Sequence, residues 1–120
     1  MNSSHALGRT SEDLACAFLK SAGWLILERN YRAGHKEIDI IATRARVIAF
    51  VEVKARAGRA YGHPFDAITW RKQREVAQAA RAWLRAHPHG GFDVRFDAIS
   101  ITWSGQSHAV EHVANAWRVR

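Results

Sequence analysis

EIDIIATRARVIAFVEVKAR, residues 37–56, reads as two apolar strands separated by almost nothing. So short a connection forces an antiparallel hairpin, because parallel neighbours need a crossover of about a dozen residues or more. Alternation places Glu37, Asp39 and Ile41 on one face of the first strand and Ile38, Ile40 and Ala42 on the other. On the second strand Phe50, Glu52 and Lys54 share a face, opposite Val51 and Val53. A tight turn centred on Ala45-Arg46 sets Asp39 across from Glu52 and Glu37 across from Lys54. Opposed Cβ atoms lie about 4.5–5.5 Å apart, close enough for two carboxylates to share one ion. A slip of one residue would send the two acids to opposite sides of the sheet.

The residues around these charges are Ile, Val, Phe and Ala, so both faces of the hairpin read as half or wholly buried. Unpaired ionised groups there cost several kcal/mol each, and neighbouring carboxylates raise each other's pKa. A divalent cation resolves the conflict. A few hard oxygen ligands, with water filling the shell, describe a site for Mg²⁺ or Mn²⁺. Lys54, one step along the face from Glu52, supplies a charge that a simple metal cage does not need. Acid, acid and ammonium on one face suit metal-assisted phosphodiester hydrolysis. The plain alternative is a half-exposed hairpin in which Glu37 and Lys54 form a cross-strand ion pair worth under about 1 kcal/mol.

Outward from the hairpin, DLACAFLKSAG predicts a helix with Leu14, Ala15, Phe18, Leu19 and Ala22 on one face. Thr10 is the expected cap-like start and Gly23 the stop. WLILERNYR (24–32) leans to strand, and AGHK to turn. AGRAYGHPF reads as a loop, and DAITWRKQREVAQAARAWLRAH as the longest helix, with Val76, Ala79, Ala80, Trp83 and Leu84 as its apolar stripe. VRFDAISITW (94–103) alternates as a half-buried strand, while HAVEHVANAWRV is either a short strand or an irregular cover. Helix, three strands, helix, strand and tail predict an α/β sandwich with a mixed sheet.

At 120 residues the chain fits one compact domain, 1–120, with 1–7 expected as a flexible N-terminus. One cysteine, Cys16, excludes an internal disulfide and reads as a small core residue. The start lacks the apolar stretch of a secretory signal, and no apolar run approaches the ~20 residues of a membrane span. The expectation is therefore a cytoplasmic protein with no membrane partner. Eighteen basic against 11 acidic side chains give +7 at neutral pH, a field that attracts polyanions, nucleic acid above all.

Asp39, followed after twelve residues by Glu52-Val53-Lys54, resembles the D…(D/E)-x-K signature of restriction-endonuclease-like nucleases. The chain resembles more narrowly the uncharacterised YraN-like proteins, a branch of that superfamily similar to archaeal Holliday junction resolvases. The matching pieces are Glu12-Asp13-Leu14-Ala15, Gly23-Trp24, Glu28-Arg29-Asn30-Tyr31-Arg32, Glu37-Ile38-Asp39-Ile40-Ile41, Phe50-Val51-Glu52-Val53-Lys54-Ala55-Arg56, Gly62 and Lys72. The resemblance covers about residues 8–103, nearly the whole chain. The resemblance implies a three-layer sandwich, a central mixed sheet flanked by helices. It implies Asp39, Glu52 and the Val53 carbonyl as metal ligands, Lys54 as charge stabiliser, and Glu12 and Glu37 as accessory acids. The family usually has Gly immediately before Glu-Ile-Asp; here that position is Lys36, a bulkier residue where the backbone enters the strand beside Glu37.

Arg32, Arg56, Arg59, Tyr61, Arg71 and Lys72 are the candidate nucleic-acid contacts. Phosphate contacts of this kind position a duplex without reading its sequence, so selectivity for branches, ends or flaps is expected, with DNA ahead of RNA. By analogy with resolvases that cut two strands symmetrically, a homodimer is expected. The histidine pairs, His87 with His89 and His108 with His112, lack the further ligands of a transition-metal site. Trp70 is the one tryptophan read as a stacking candidate. The rival to a nuclease is a binding module on the same fold that cuts nothing, and a third reading is a protein-interaction domain.

Overall fold

The computed structural model describes residues 4–57 and 68–118, with side chains from residue 8 onward. Helix α1 (Ser4–Ser21) is followed by strands β1 (Leu25–Ala33), β2 (Lys36–Arg44) and β3 (Val47–Ala57). Helix α2 (Trp70–Ala86) then leads to β4 (Asp93–Ser104) and β5 (Ser107–Trp117). The five strands form one sheet in the order β1-β2-β3-β4-β5. Only β3 and β4 run parallel, and α2 lies in the connection that such a pair requires.

The sheet separates two cores. Ala15, Cys16 and Leu19 of α1 pack on Ile40, Ala42, Ala49, Val51, Ile99 and Ile101. Val76, Ala79, Ala80 and Trp83 of α2 pack on Ile41, Ile48, Phe50 and Ala98. This is the three-layer α/β/α sandwich expected from the sequence, with Cys16 buried as a core residue.

The hairpin has the expected register, from Arg44↔Val47 to Ile40↔Val51. Its turn puts both Ala45 (φ 49°) and Arg46 (φ 63°) in the left-handed region, as a two-residue hairpin of the favoured twist demands. At the other end of β2, Gly34 carries the positive φ (67°) of the β1–β2 turn, and Lys36 enters the strand in register with Ala33.

The structure differs from expectation at the start of α1, in the tail, within β2, and at α2, which begins at Trp70 with Ile68 and Thr69 outside it. Helix α1 begins at Ser4, so Thr10 lies inside it and residues 4–7 are helical backbone; residues 1–3 lie outside the described set. The tail is a full edge strand, β5, paired antiparallel with β4. Alternation in β2 fails at one place, where Ile38 packs with Ile41 rather than with Ile40. The fault lies at Asp39 and its neighbour Asn30 (φ 52°), between the paired Arg29↔Ile40 and Tyr31↔Ile38 but themselves in no ladder.

Candidate active site

The β2–β3 ladder stops at Ile40↔Val51, immediately before the two acids. There the strands are joined by a side chain instead, because the backbone N–H of Val53 donates to Asp39 Oδ2 at 2.8 Å. The Asp39 and Glu52 carboxyls are hydrogen-bonded to each other, so the acids meet as the register predicts. Glu52 is 2% exposed. One oxygen, Oε1, lies 3.5 Å from Lys72 Nζ of α2. The other, Oε2, is buried with no partner.

The electrostatics follow from this crowding. Burial, then the charge of Asp39, push the Glu52 carboxyl up to about 8, against the pull of Lys72 and Lys54. Burial also raises Asp39, opposed first by the Val53 N–H and then by Lys72. Glu12, projecting from α1, is raised by burial, then by Asp39 and Glu37, while Asn30 donates a side-chain hydrogen bond to it. Four acids therefore share one neighbourhood, drawn from α1, β2 and β3.

Glu37 does not pair with Lys54. The β2–β3 ladder has ended before that position, and Glu37 lies 3.4 Å from Arg32 across the β1–β2 pair. The expected cross-strand ion pair of the plain hairpin is thus replaced by one on the opposite side of β2. Lys54 is left partly buried on β3, its field acting on Glu52.

Whether these residues suit a divalent ion is decided by Glu52 Oε2 and its surroundings. A buried carboxylate oxygen without a donor, touching a second carboxyl with a raised pKa, is the arrangement a hard cation relieves. Among the described residues no three His, Cys, Asp or Glu side chains form a closed metal cage. Two carboxylates with the rest of the shell left to backbone oxygen and water match Mg²⁺ rather than a zinc-type site. Asp39 and Glu52 would hold the ion, with the Val53 carbonyl as the third ligand the resemblance implies.

The expected nucleic-acid contacts divide. Lys72 belongs to the acid pair, as its contact with Glu52 shows. Arg71 is 90% exposed beside Glu75 on α2, and Arg32 is 72% exposed on β1. Arg56 lies partly buried on β3, two residues beyond Lys54. Arg59 and Tyr61 fall outside the described residues. Trp70, 61% exposed at the start of α2, stands apart from the buried Trp24, Trp83 and Trp117. Asn30 was not foreseen from the sequence. Its signal was a polar residue breaking the strand run ERNYR, opposite the one acid that also breaks its strand.

A second buried acid, Asp97 on β4, is fully enclosed. Arg95 donates to both its oxygens (2.9 and 2.8 Å), His112 lies 2.9 Å from Oδ2, and the Asn115 N–H donates to Oδ1 at 3.1 Å. Burial alone would raise this carboxyl, but the hydrogen bonds from His112, Arg95 and Asn115 outweigh it and hold the pKa below the usual carboxylate value.

An α/β/α sandwich with paired acids and lysines where two central strands part defines a class of protein built around an unsatisfied acid pair at the middle of its sheet. The chain belongs to the uncharacterised protein family UPF0102, whose model matches residues 11–101. It is 48% identical over 101 residues to a UPF0102 protein of Chloroherpeton thalassium, covering 84% of this chain and 78% of that one. It is 44% identical over 114 residues to one of Geobacter metallireducens, covering 95% and 93% of the two chains. A UPF0102 protein of Rhodococcus opacus is 42% identical over 113 residues, with 93% and 96% covered. No helix among the described residues is long and apolar enough to cross a membrane.

Proposed function

We propose that this protein is a metal-dependent nuclease that hydrolyses phosphodiesters of nucleic acid, DNA ahead of RNA, with selectivity for structure rather than sequence. The observation that carries the reading is the buried Asp39–Glu52 pair with an unpartnered carboxylate oxygen beside two lysines. A bound Mg²⁺ or Mn²⁺ would supply a Lewis acid for the phosphoryl group and a water of lowered pKa. Asp39 and Glu52 hold the charge that retains it. Lys54, on the same strand face as Glu52, faces the negative charge that grows on the phosphoryl oxygens. Lys72 balances Glu52 Oε1 and brings the first turn of α2, with exposed Trp70 and Arg71, to the rim. Glu12 and Glu37 add negative charge around Asp39, which strengthens retention of a cation.

The test is incubation of the full chain with single-stranded, duplex, nicked and branched DNA in Mg²⁺ or Mn²⁺. Wild type is expected to cut at least one of these, and Glu52→Gln none. Binding that is salt-sensitive and survives both Glu52→Ala and Lys54→Ala, with no cutting by wild type, would assign the chain as an inert binding module instead. Failure to bind any nucleic acid at low salt would discard both.

A further inference from the structure

Ser100 lies on β4 directly beside Lys54 of β3, in the parallel register that also sets Glu52 beside Ala98. Registered neighbours in a sheet share a face, and Ala98 belongs to the core under α2. Ser100, two residues on, therefore shares that face with Glu52 and Lys54. It is 1% exposed, and its Oγ has no hydrogen-bond partner. Alanine in the same place would fill the space without burying an unpaired hydroxyl, so the serine is a liability to folding unless it acquires a partner.

The registered neighbour able to supply such a partner is the Lys54 ammonium, which carries three donors and makes no close ion pair among the described residues, whereas Lys72, the other lysine at the acid pair, already lies 3.5 Å from Glu52 Oε1. Two orphaned groups, Glu52 Oε2 and Ser100 Oγ, thus sit on one face, on strands either side of the β3–β4 seam and close to one lysine. An ammonium on a flexible four-carbon stem needs such an anchor if it is to point in one direction.

We infer that Ser100 is a positioning residue for Lys54: its hydroxyl accepts a hydrogen bond from the ammonium and aims it at the phosphoryl oxygens of a bound phosphodiester. The inference rests on the nuclease reading above. It does not involve the metal ligands directly.

The experiment is a double-mutant cycle on the full chain with Ser100→Ala, Ser100→Thr, Lys54→Ala and the Ser100→Ala/Lys54→Ala pair. Each is assayed on the DNA that wild type cuts, with binding to the same DNA measured in Ca²⁺ and thermal midpoints recorded. Ser100→Ala is expected to lower kcat about tenfold to a hundredfold, the scale of one hydrogen bond to a charged group. KM and DNA binding stay unchanged, the midpoint holds or rises, and Ser100→Thr recovers most of the rate. In the Lys54→Ala background the serine change is expected to have no further effect. Full activity in Ser100→Ala overturns the proposal and leaves the nuclease standing. So does an equal loss with or without Lys54, or a loss tracking a lowered midpoint in both Ser100 variants. Absence of cutting by wild type overturns the nuclease reading and this one with it.

Discussion

Two buried acid sites lie in the same sheet and are treated in opposite ways. Asp97 is enclosed by a guanidinium, an imidazole and a backbone N–H, which leave neither oxygen without a donor. Its surroundings favour the charge. Glu52, equally hidden from water, is set against a second acid, with one oxygen 3.5 Å from a lysine and the other orphaned. Its surroundings oppose the charge. A buried carboxylate that is fully satisfied fastens a fold, and β5 is tied to β4 through Asp97. A buried carboxylate left wanting is a place where something else is meant to bind.

The largest consequence is expected at the satisfied site. Asp97→Ala removes the acceptor shared by the partly buried Arg95, His112 and the Asn115 N–H, and is expected to destabilise the protein by about 3–5 kcal/mol, measured by urea unfolding, with no specific effect on metal affinity. At the other site Asp39→Asn or Glu52→Gln is expected to cut cleavage on the order of a hundred- to a thousandfold while leaving the protein folded. If Asp97→Ala were tolerated and Glu52→Gln unfolded the chain, the contrast between the two sites would be reversed.

Next in size is the stability of the Glu52 site itself. In EDTA at neutral pH, Glu52→Gln is expected to stabilise the protein by about 1–3 kcal/mol, the scale of relieving a buried unpaired polar group, and wild type alone should gain strongly from added Mg²⁺. The two sites also differ in the sign of their pH dependence. Glu52 titrates near 8 when folded and near 4.5 when not, so its contribution is intact below pH 4.5 and is lost as the pH rises toward 8. The advantage of Glu52→Gln over wild type should therefore widen across that window and shrink when Mg²⁺ is present. Asp97, whose folded pKa is depressed, contributes above its ordinary value of 3.8, and that stability is lost as the pH falls through the folded pKa. The smallest effect is expected on the exposed rim, where Arg71→Ala should reduce the salt slope of DNA binding by about 1 without changing preference among substrates.

One side of this contrast, the acid pair, was legible in the sequence. EIDIIATRARVIAFVEVKAR carries its own pairing, because apolar runs this close must pair antiparallel, and both the register seen and one shifted by two keep the acids on one face. The α2 stripe was equally plain, since Val76, Ala79, Ala80 and Trp83 recur at helical spacing and are all buried. The start of α1 was not legible, because SHALGR offers no apolar face to mark helix and a capping pattern at Thr10 invited a later start. Nor was β5, whose polar exposed edge reads the same as loop. Asn30 and Ile38 were missed for a shared reason. Period-two reasoning assumes an unbroken ladder, and the ladder breaks where Asp39 leaves it. Asp97 and Ser100 depend on contacts between distant segments that no local pattern reports, as does the approach of Lys72, named from the sequence as a phosphate contact, to Glu52.

The bond from the Val53 amide to Asp39 has a consequence for reading diverged copies of this protein. Asp39 is both half of the acid pair and the rivet that closes the sheet where its two middle ribbons part, whereas Glu52 holds no backbone group of the sheet and reaches only the flexible end of Lys72 outside the pair. A descendant released from any need to cut could discard Glu52 and become sturdier, but would keep an acceptor at position 39 to stay folded. Loss of the glutamate beside a retained aspartate or asparagine is thus the mark by which a silent copy would give itself away.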